Sequence, residues 1–512
     1  MPIVTIPSAG QFGLVKDQPP HELAVNAWSS AENVRFRDNC IERIEGETQI
    51  YDAPSITPYW VTPYSTTTKR YIAHFGLAKA YVDDGTTRTE ITGTAPTGAI
   101  DDRWSGGAFN GFLVANNGVD KPFSWDGNTA NNLTTLANWN ANHKCAVLVP
   151  FKNYLVALDI TKSGTRYPHM VKVSNAADPG ALPTSWDETD PAVDTYENDL
   201  AETPDLLVDA LPLGGSLIIY KERSMYSMTY IGGQYIWQFT RIPGDTGMLA
   251  RGCGVNTPLG HVVLTAGDLI LHSGQGPQSI IDGKVRRWLF NTINTTYYTR
   301  SFVVANPARN EVWVCIPQGT SSSCNVALIW NWKDNTFTTR TLNNATFGCT
   351  GQVTVASADS VWSGDSGSWE TDTSVWDQTT LPPSEARLIL CTTQPKIVMA
   401  DSGSTLAGTS FTATAEKLGN AFDDPSNVKL VRGVIPRVDG TNGQTLYIQV
   451  GGTMDPETSY TWSDAVPYVI GTTYKADTFA SGRFIGIRVY STASFSWRVR
   501  SFDLDVVKQG RY

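Results

Sequence analysis

From about residue 59 to 345 the chain repeats one pattern of apolar and polar positions: a short apolar run, a tight polar turn, a second apolar run, and often an aromatic near the end. The pattern is clearest over 103–127, 145–173, 206–233, 254–283 and 301–342. The second runs fall at Leu113, Leu155, Leu217, Val263 and Val312, so they lie 42, 62, 46 and 49 residues apart. A period in the forties with several strands per repeat predicts a β-propeller, whose blades hold about four strands each. With 68–85 as a further member, six or seven blades fit. Beyond Leu381-Pro382-Pro383 the runs become longer and alternate, over 430–440, 445–452, 483–491 and 496–507. Phe484, Ile485, Ile487 and Val489, then Trp497, Val499, Phe502 and Leu504, read as strands with one buried face, which predicts an additional C-terminal β-sandwich-like domain. Helix signals are almost absent; the best is short, from Glu22 to Asn33.

Two stretches interrupt this pattern. The 62-residue interval holds an insertion, 175–205, rich in Pro, Asp and Glu. Its Asp187, Glu188, Asp190, Asp194, Glu197 and Asp199 are candidate channel or loop contacts, although a solvated loop without partners would have the same composition. The second is VWSGDSGSWETDTSVWDQ, where Trp362, Trp369 and Trp376 are seven apart and Asp365 and Asp372 each follow a Trp by three. A heptad needs good helix formers between its apolar positions, and here they are Ser, Gly, Asp and Thr, so the run predicts a turn-rich linker. The expected division is an N-terminal arm and hairpin (1–50), propeller blades (51–360), the Trp-repeat linker (361–383) and a C-terminal β domain (384–512). Completion of the propeller by that last segment is the alternative.

Composition sharpens the picture without changing it. The chain has 512 residues, 44 Gly, 28 Pro, 17% charged and 11% aromatic residues, which suits a turn-rich all-β protein of more than one structural unit. A net charge of −10 argues against a protein that grips nucleic acid. The opening MPIVTIPSAGQFG has no basic stretch followed by an apolar one, and no 18 apolar residues run together, so a soluble chain not exported by a signal peptide is expected. Seven scattered cysteines without C-x-x-C spacing predict reduced thiols, with Cys315 and Cys324 able to meet across a hairpin.

Candidate chemistry is thin. GDSG at 364–367 matches part of a serine-protease nucleophile loop, but the last histidine is His272 and none lies in a matching context. Ser363, Asp365, Gly367 and Trp369 approximate the Asp box of sialidase-type propellers one residue short; that box is itself a structural turn. Trp beside Asp also builds sugar platforms, against which stands simple packing of each Trp under a turn. The six histidines show no metal-binding spacing and no phosphate-binding loop occurs, so neither metal nor nucleotide cofactor is predicted.

Three segments together resemble the tail nozzle, or tail hub, proteins of short-tailed bacteriophages, a group also called packaged-DNA stabilising. In GLVKDQPPHELAVNAWSSAENVRFRDNCIERIEG (13–46), Asp17, Pro20, Glu22, Leu23, Ala27, Trp28, Asn33, Arg35, Phe36 and Arg37 stand at positions matching the family's opening. The triple-Trp run followed by RLILC (387–391) resembles its tandem Trp-Asp linker, and GRFIGIRVYSTASFSWRVRSFDLDV (482–506) its terminal strands. A departure is Ser496-Trp497-Arg498-Val499-Arg500, more basic than the family pattern. The resemblance implies a non-enzymatic virion tail protein, assembled in the host bacterial cytoplasm as a six-fold ring below the portal–adaptor ring. Its implied partners are tail fibre or tailspike and tail-tip proteins, with double-stranded DNA passing through without sequence-specific binding. Trp28, Arg35, Phe36, Arg37, Trp362, Trp369 and Trp376 become the candidate assembly interface. The alternative is a receptor-binding or carbohydrate-active propeller at the tail tip.

Overall fold

In the computed structural model, which describes residues 3–233, 236–353 and 385–511, the repeated apolar–turn–apolar pattern folds as up-and-down four-stranded antiparallel sheets, the blades of an all-β, β-propeller architecture. The triple-Trp run, and with it Trp362, Trp369 and Trp376, lies outside the described residues. The chain divides into two compact units, each assembled from separated segments: residues 1–48, 253–345 and 400–512 form one, residues 49–252 and 346–399 the other. The linear division expected from sequence is therefore not how the contacts group.

The unit of residues 49–252 and 346–399 contains four blades in chain order. They begin with strands Trp60–Ser65, Ser105–Phe109, His143–Phe151 and Leu207–Leu213. The expected second strands are the second strands, and Leu113, Leu155 and Leu217 are fully buried in them. Apolar residues on both faces of these strands pack against neighbouring blades. Trp60, Phe75, Trp104, Leu113 and Trp125 form one such core, and Val156, Leu158, Leu217, Tyr226 and Trp237 another. Strands Ala386–Thr392 and Lys396–Ala400 add a further hairpin, with Ile389, Cys391, Ile397 and Met399 packed on Val61 and Ile72.

The other unit holds the meanders that begin at strands Gly254–Thr257 and Phe302–Asn306, with Val263 and Val312 buried in their second strands. It also holds two sheets built from the long alternating runs. Strand Phe484–Ser491 lies between Ala413–Asn420 and Thr445–Thr453, while strand Trp497–Arg511 lies along Asn427–Gly440. Tyr468 reaches from one sheet to the Pro436 carbonyl of the other, and the Trp497 indole donates to Ser491 Oγ at 2.8 Å. The N-terminal segment is woven into both sheets. Ala31 is paired opposite Ala415, Ile41 opposite Val499, and strand Ile3–Ile6 lies along 502–505.

Two local expectations are corrected. Glu22–Asn33 is not helical: it forms turns and the short strands Ala27–Trp28 and Ser30–Glu32, because its backbone is claimed by the sheet at Glu416 and Ala415. The α-helix among the described residues is instead Arg286–Thr292, whose first free amides, those of Arg287 and Trp288, donate to Asp17. Cys315 and Cys324 are not cross-strand partners either. Cys315 stands opposite Ala327 and Cys324 opposite Ala345, and all seven cysteines are thiols.

Candidate functional site

Two of the three segments that carry the resemblance, 13–46 and 482–506, lie together in the unit of residues 1–48, 253–345 and 400–512, with Trp28, Arg35 and Phe36 in its interior. Val34–Arg37 and Cys40–Arg43 form a hairpin around Asp38-Asn39, both left-handed (φ 49° and 61°), the two-residue turn that suits right-twisted strands. That hairpin turns Arg35 inward. Its guanidinium makes a two-pronged contact with Glu311 and a 2.8 Å contact with Asp401. Asp401 also accepts from Asn306 Nδ2 at 2.6 Å and from Arg340 at 3.2 Å; Arg340 reaches Glu47 at 3.2 Å and lies 4.6 Å over the Trp313 ring. Trp313 Nε1 closes the set by donating to Glu311 at 3.1 Å.

These five charged side chains are at most 3% exposed. In so little water an unpaired charge would be untenable, so the network holds only as a whole. Burial opposes ionisation of Asp401, yet Arg35 and Arg340 hold its carboxyl below the usual range. Burial raises Glu47 despite Arg340. Nearby Arg43 is lowered to about 10 by burial and by the Arg340 charge. The Arg43 side chain caps the Ser404 carbonyl and lies 4.1 Å over Phe411.

The expectation that Trp28, Arg35 and Phe36 face a neighbouring subunit is therefore corrected. Trp28 is 1% exposed, packs on Phe502 with ring centroids 5.9 Å apart, and donates its indole N–H to the Ala9 carbonyl. Phe36 is equally buried, and Arg35 is spent on the network. Arg37 alone of the four reaches the surface, 3.6 Å from Asp38. The basic departure in 496–500 is absorbed locally: Arg498 lies 3.5 Å from Asp38 and Arg500 2.6 Å from Asp439.

The acidic insertion lies in the other unit and is more ordered than its composition suggests. Its Trp186 is buried edge-on against Trp139 at 4.6 Å, and its last part is the fourth strand of a blade, Tyr196–Asp199. Lys172, 1% exposed, bridges Glu188 and Glu197 at 2.5 and 2.6 Å, and Lys162 contacts Glu197 at 2.5 Å. Asp194 accepts from Tyr154 at 3.3 Å. Asp187 and Asp190 fold their own turns by accepting from Thr189 and Ala192, and with Asp199 they stay exposed. Two of the six predicted acids are thus neutralised within the chain, and three offer charge to solvent.

Sequence reasoning missed three buried lysines that use backbone carbonyls as their partners. Lys221 binds Leu200 and Thr203, Lys429 binds Asp424, Asn427 and Arg483, and Lys417 sits 3.4 Å from the carbonyls of Pro20 and Leu23. Burial lowers Lys417 to about 8. Single lysines in alternating strands carry no signal that distinguishes an inward from an outward face. Among the described residues no group of three or more His, Cys, Asp or Glu is placed to hold a metal ion.

No family model matches the chain, and no curated protein does. Among solved structures it is similar to the WD40 β-propeller domain of Doa1, at 8% identity over 70% of this chain and 97% of that one, TM-score 0.39. It is also similar to the β-propeller domain of Myceliophteria thermophila Cps50 (Swd1), at 9% identity over 70% and 98%, TM-score 0.38. Likeness at this level says nothing of function, and the blade assignment stands on the four-stranded sheets themselves.

Proposed function

We propose that the chain is a structural subunit of a virion tail, closing with five further copies into a nozzle ring below the portal–adaptor that retains packaged DNA and conducts it during ejection. The observation that carries this reading is that the outer two segments of the family resemblance, 13–46 and 482–506, fold onto each other. Trp28 packs on Phe502, Ile41 pairs with Val499 and Glu42 with Arg498. The two segments on which the resemblance rests lie far apart in the chain and are here one packed module, which supports reading them together.

Charge supports the same reading. Six copies at −10 each carry −60, and a ring lined by part of that charge would repel phosphate and let DNA slide. Asp187, Asp190 and Asp199 are the acids of the insertion free to contribute. Ring closure needs head-to-tail contacts between copies, for which Arg37 and the triple-Trp run remain candidates. Portal–adaptor, tail-fibre or tailspike and tail-tip proteins are the partners of this proposal.

Mass determination in solution with negative-stain imaging tests it. Hexameric rings with a central hole are expected, alone or after addition of a portal–adaptor complex. Isolated propellers or trimers under both conditions, with glycan binding lost on Trp369→Ala, would replace this reading with a receptor-binding propeller.

A further inference from the structure

Strand Ile3–Ile6 lies antiparallel on strand Trp497–Arg511, Ile3 opposite Asp505 and Ile6 opposite Phe502. The other edge of that stretch is already paired, Asp505 with Gly433 and Asp503 with Ile435. The arm strand therefore covers an edge that would otherwise present unpaired backbone N–H and C=O groups. It is lightly held. Of its four side chains only Ile6 is buried, Ile3 is 57% exposed, and a side-chain hydrogen bond joins it to the sheet, from Thr5 Oγ1 to Asp503 at 2.7 Å.

Just past it the chain is fastened firmly. The Ala9 amide donates to Arg500 O at 2.9 Å and the Ala9 carbonyl accepts from buried Trp28. Gly10 packs so closely that a Cβ there would stand 2.1 Å from the Cys40 carbonyl oxygen. Between the light strand and the fixed body lie only Pro7 and Ser8, and Ser8 has φ 50°, a region that non-glycine residues seldom adopt. Short hinges in unfavourable conformations are what drive identical elements to trade places between copies.

We propose that Ile3–Ile6 is an exchangeable arm, which in an assembly leaves its own sheet and fills the 502–505 edge of a second copy of this chain. The occupant follows from complementarity already on display. The edge is matched to this tetrapeptide residue by residue, Thr5 to Asp503 included, so an exchanged arm recovers the whole strand pairing, while release of Ser8 from its left-handed conformation offsets the contacts its carbonyl accepts from Gln11 N–H at 3.0 Å and Asn26 Nδ2 at 3.4 Å. Because the strand pairing is the same in both forms, the balance is set mainly by concentration, and an already associated assembly would favour exchange. The proposal stands independently of the tail reading, since any assembly of this chain would meet the same edge.

Cysteine trapping tests it. Thr5→Cys in one tagged chain and Asp503→Cys in a differently tagged chain place thiols on directly opposed residues, within disulfide reach. Mixing the two and oxidising should give a covalent heterodimer whose yield rises with protein concentration, against the unsubstituted chain as control. Both substitutions in one chain should close an intrachain bond and lower self-association at least tenfold. If the same-chain variant closes fully but the mixture never yields heterodimer, or if the locked variant associates as readily as the unlocked one, exchange is excluded. Thermal melts confirm that each variant is folded, and Ile3→Cys with Asp505→Cys serves as a second pair should the first impair folding.

Discussion

Asp401→Asn tests the buried charge network most directly. The substitution keeps the size and shape of the side chain, and Asn tolerates the left-handed backbone of this position (φ 54°) as well as Asp does. What changes is hydrogen bonding. Asp401 accepts from Arg35 and Asn306 on one oxygen and from Arg340 on the other, and an amide can accept on one side only. One set of buried donors is left facing N–H. A stranded buried donor costs about 1–3 kcal/mol, and breaking a buried ion pair from one side about 3–5 kcal/mol, so a loss near 3–5 kcal/mol is expected. For a unit of this size that corresponds to roughly 6–20 °C in Tm. Denaturant unfolding at pH 7 followed by tryptophan fluorescence reads it, since Trp313 touches both Arg340 and Glu311. The sign with pH is fixed. Asp401 is held below its unfolded value of about 3.9, so its contribution is complete above that pH and is lost as pH falls through the lower folded value. The difference between wild type and variant must therefore shrink in acid. A loss under about 1 kcal/mol at pH 7 with an unchanged denaturant slope would refute the claim that the network holds only as a whole.

Lys417 gives a second pH signature of the same sign in an alkaline window. Its folded value of about 8 lies below the ordinary 10.5, so the unfolded chain binds the extra proton between those values and stability rises with pH across that window. Lys417→Met should relieve a penalty of up to about 3 kcal/mol at pH 7 that fades by about pH 10.5, and a pH-independent difference between the two chains would contradict this. Trp28→Ala should cost the isolated chain about 3–5 kcal/mol in unfolding experiments, through a cavity under Phe502. An unchanged melt with weakened association would instead return Trp28 to a subunit interface.

Much of the fold was legible because strand periodicity reports burial directly. The second strands at Leu113, Leu155, Leu217, Val263 and Val312 could be read from apolar runs between polar turns, and each is fully buried. One irregularity was not read. The inward row of the last strand shifts from Trp497 and Val499 to Phe502 and Leu504, and the structure places a bulge there, with Arg437 opposite Ser501 and Val438 opposite Val499. The site was far less legible. Arg35 between Val34 and Phe36 breaks the apolar pattern and so suggests a surface, but its partners Glu311 and Asp401 lie hundreds of residues away. No local rule pairs a charge with so distant a counter-charge. The misplaced helix has the same origin: Glu22–Asn33 has acceptable local propensity, and the sheet edge at Ala415 overrides it.

The distance in sequence between Thr5 and Asp503, 498 positions, also has a meaning in time. At synthesis rates of about 5–20 residues per second, the strand holding Thr5 waits on the order of 25–100 s for its partner to be made. The four blades between Trp60 and Ile242 pair only with near neighbours in the chain and can form during that wait. The module that carries both ends cannot. A chain lacking residues 502–505 would thus have completed blades but no edge on which to seat strand Ile3–Ile6.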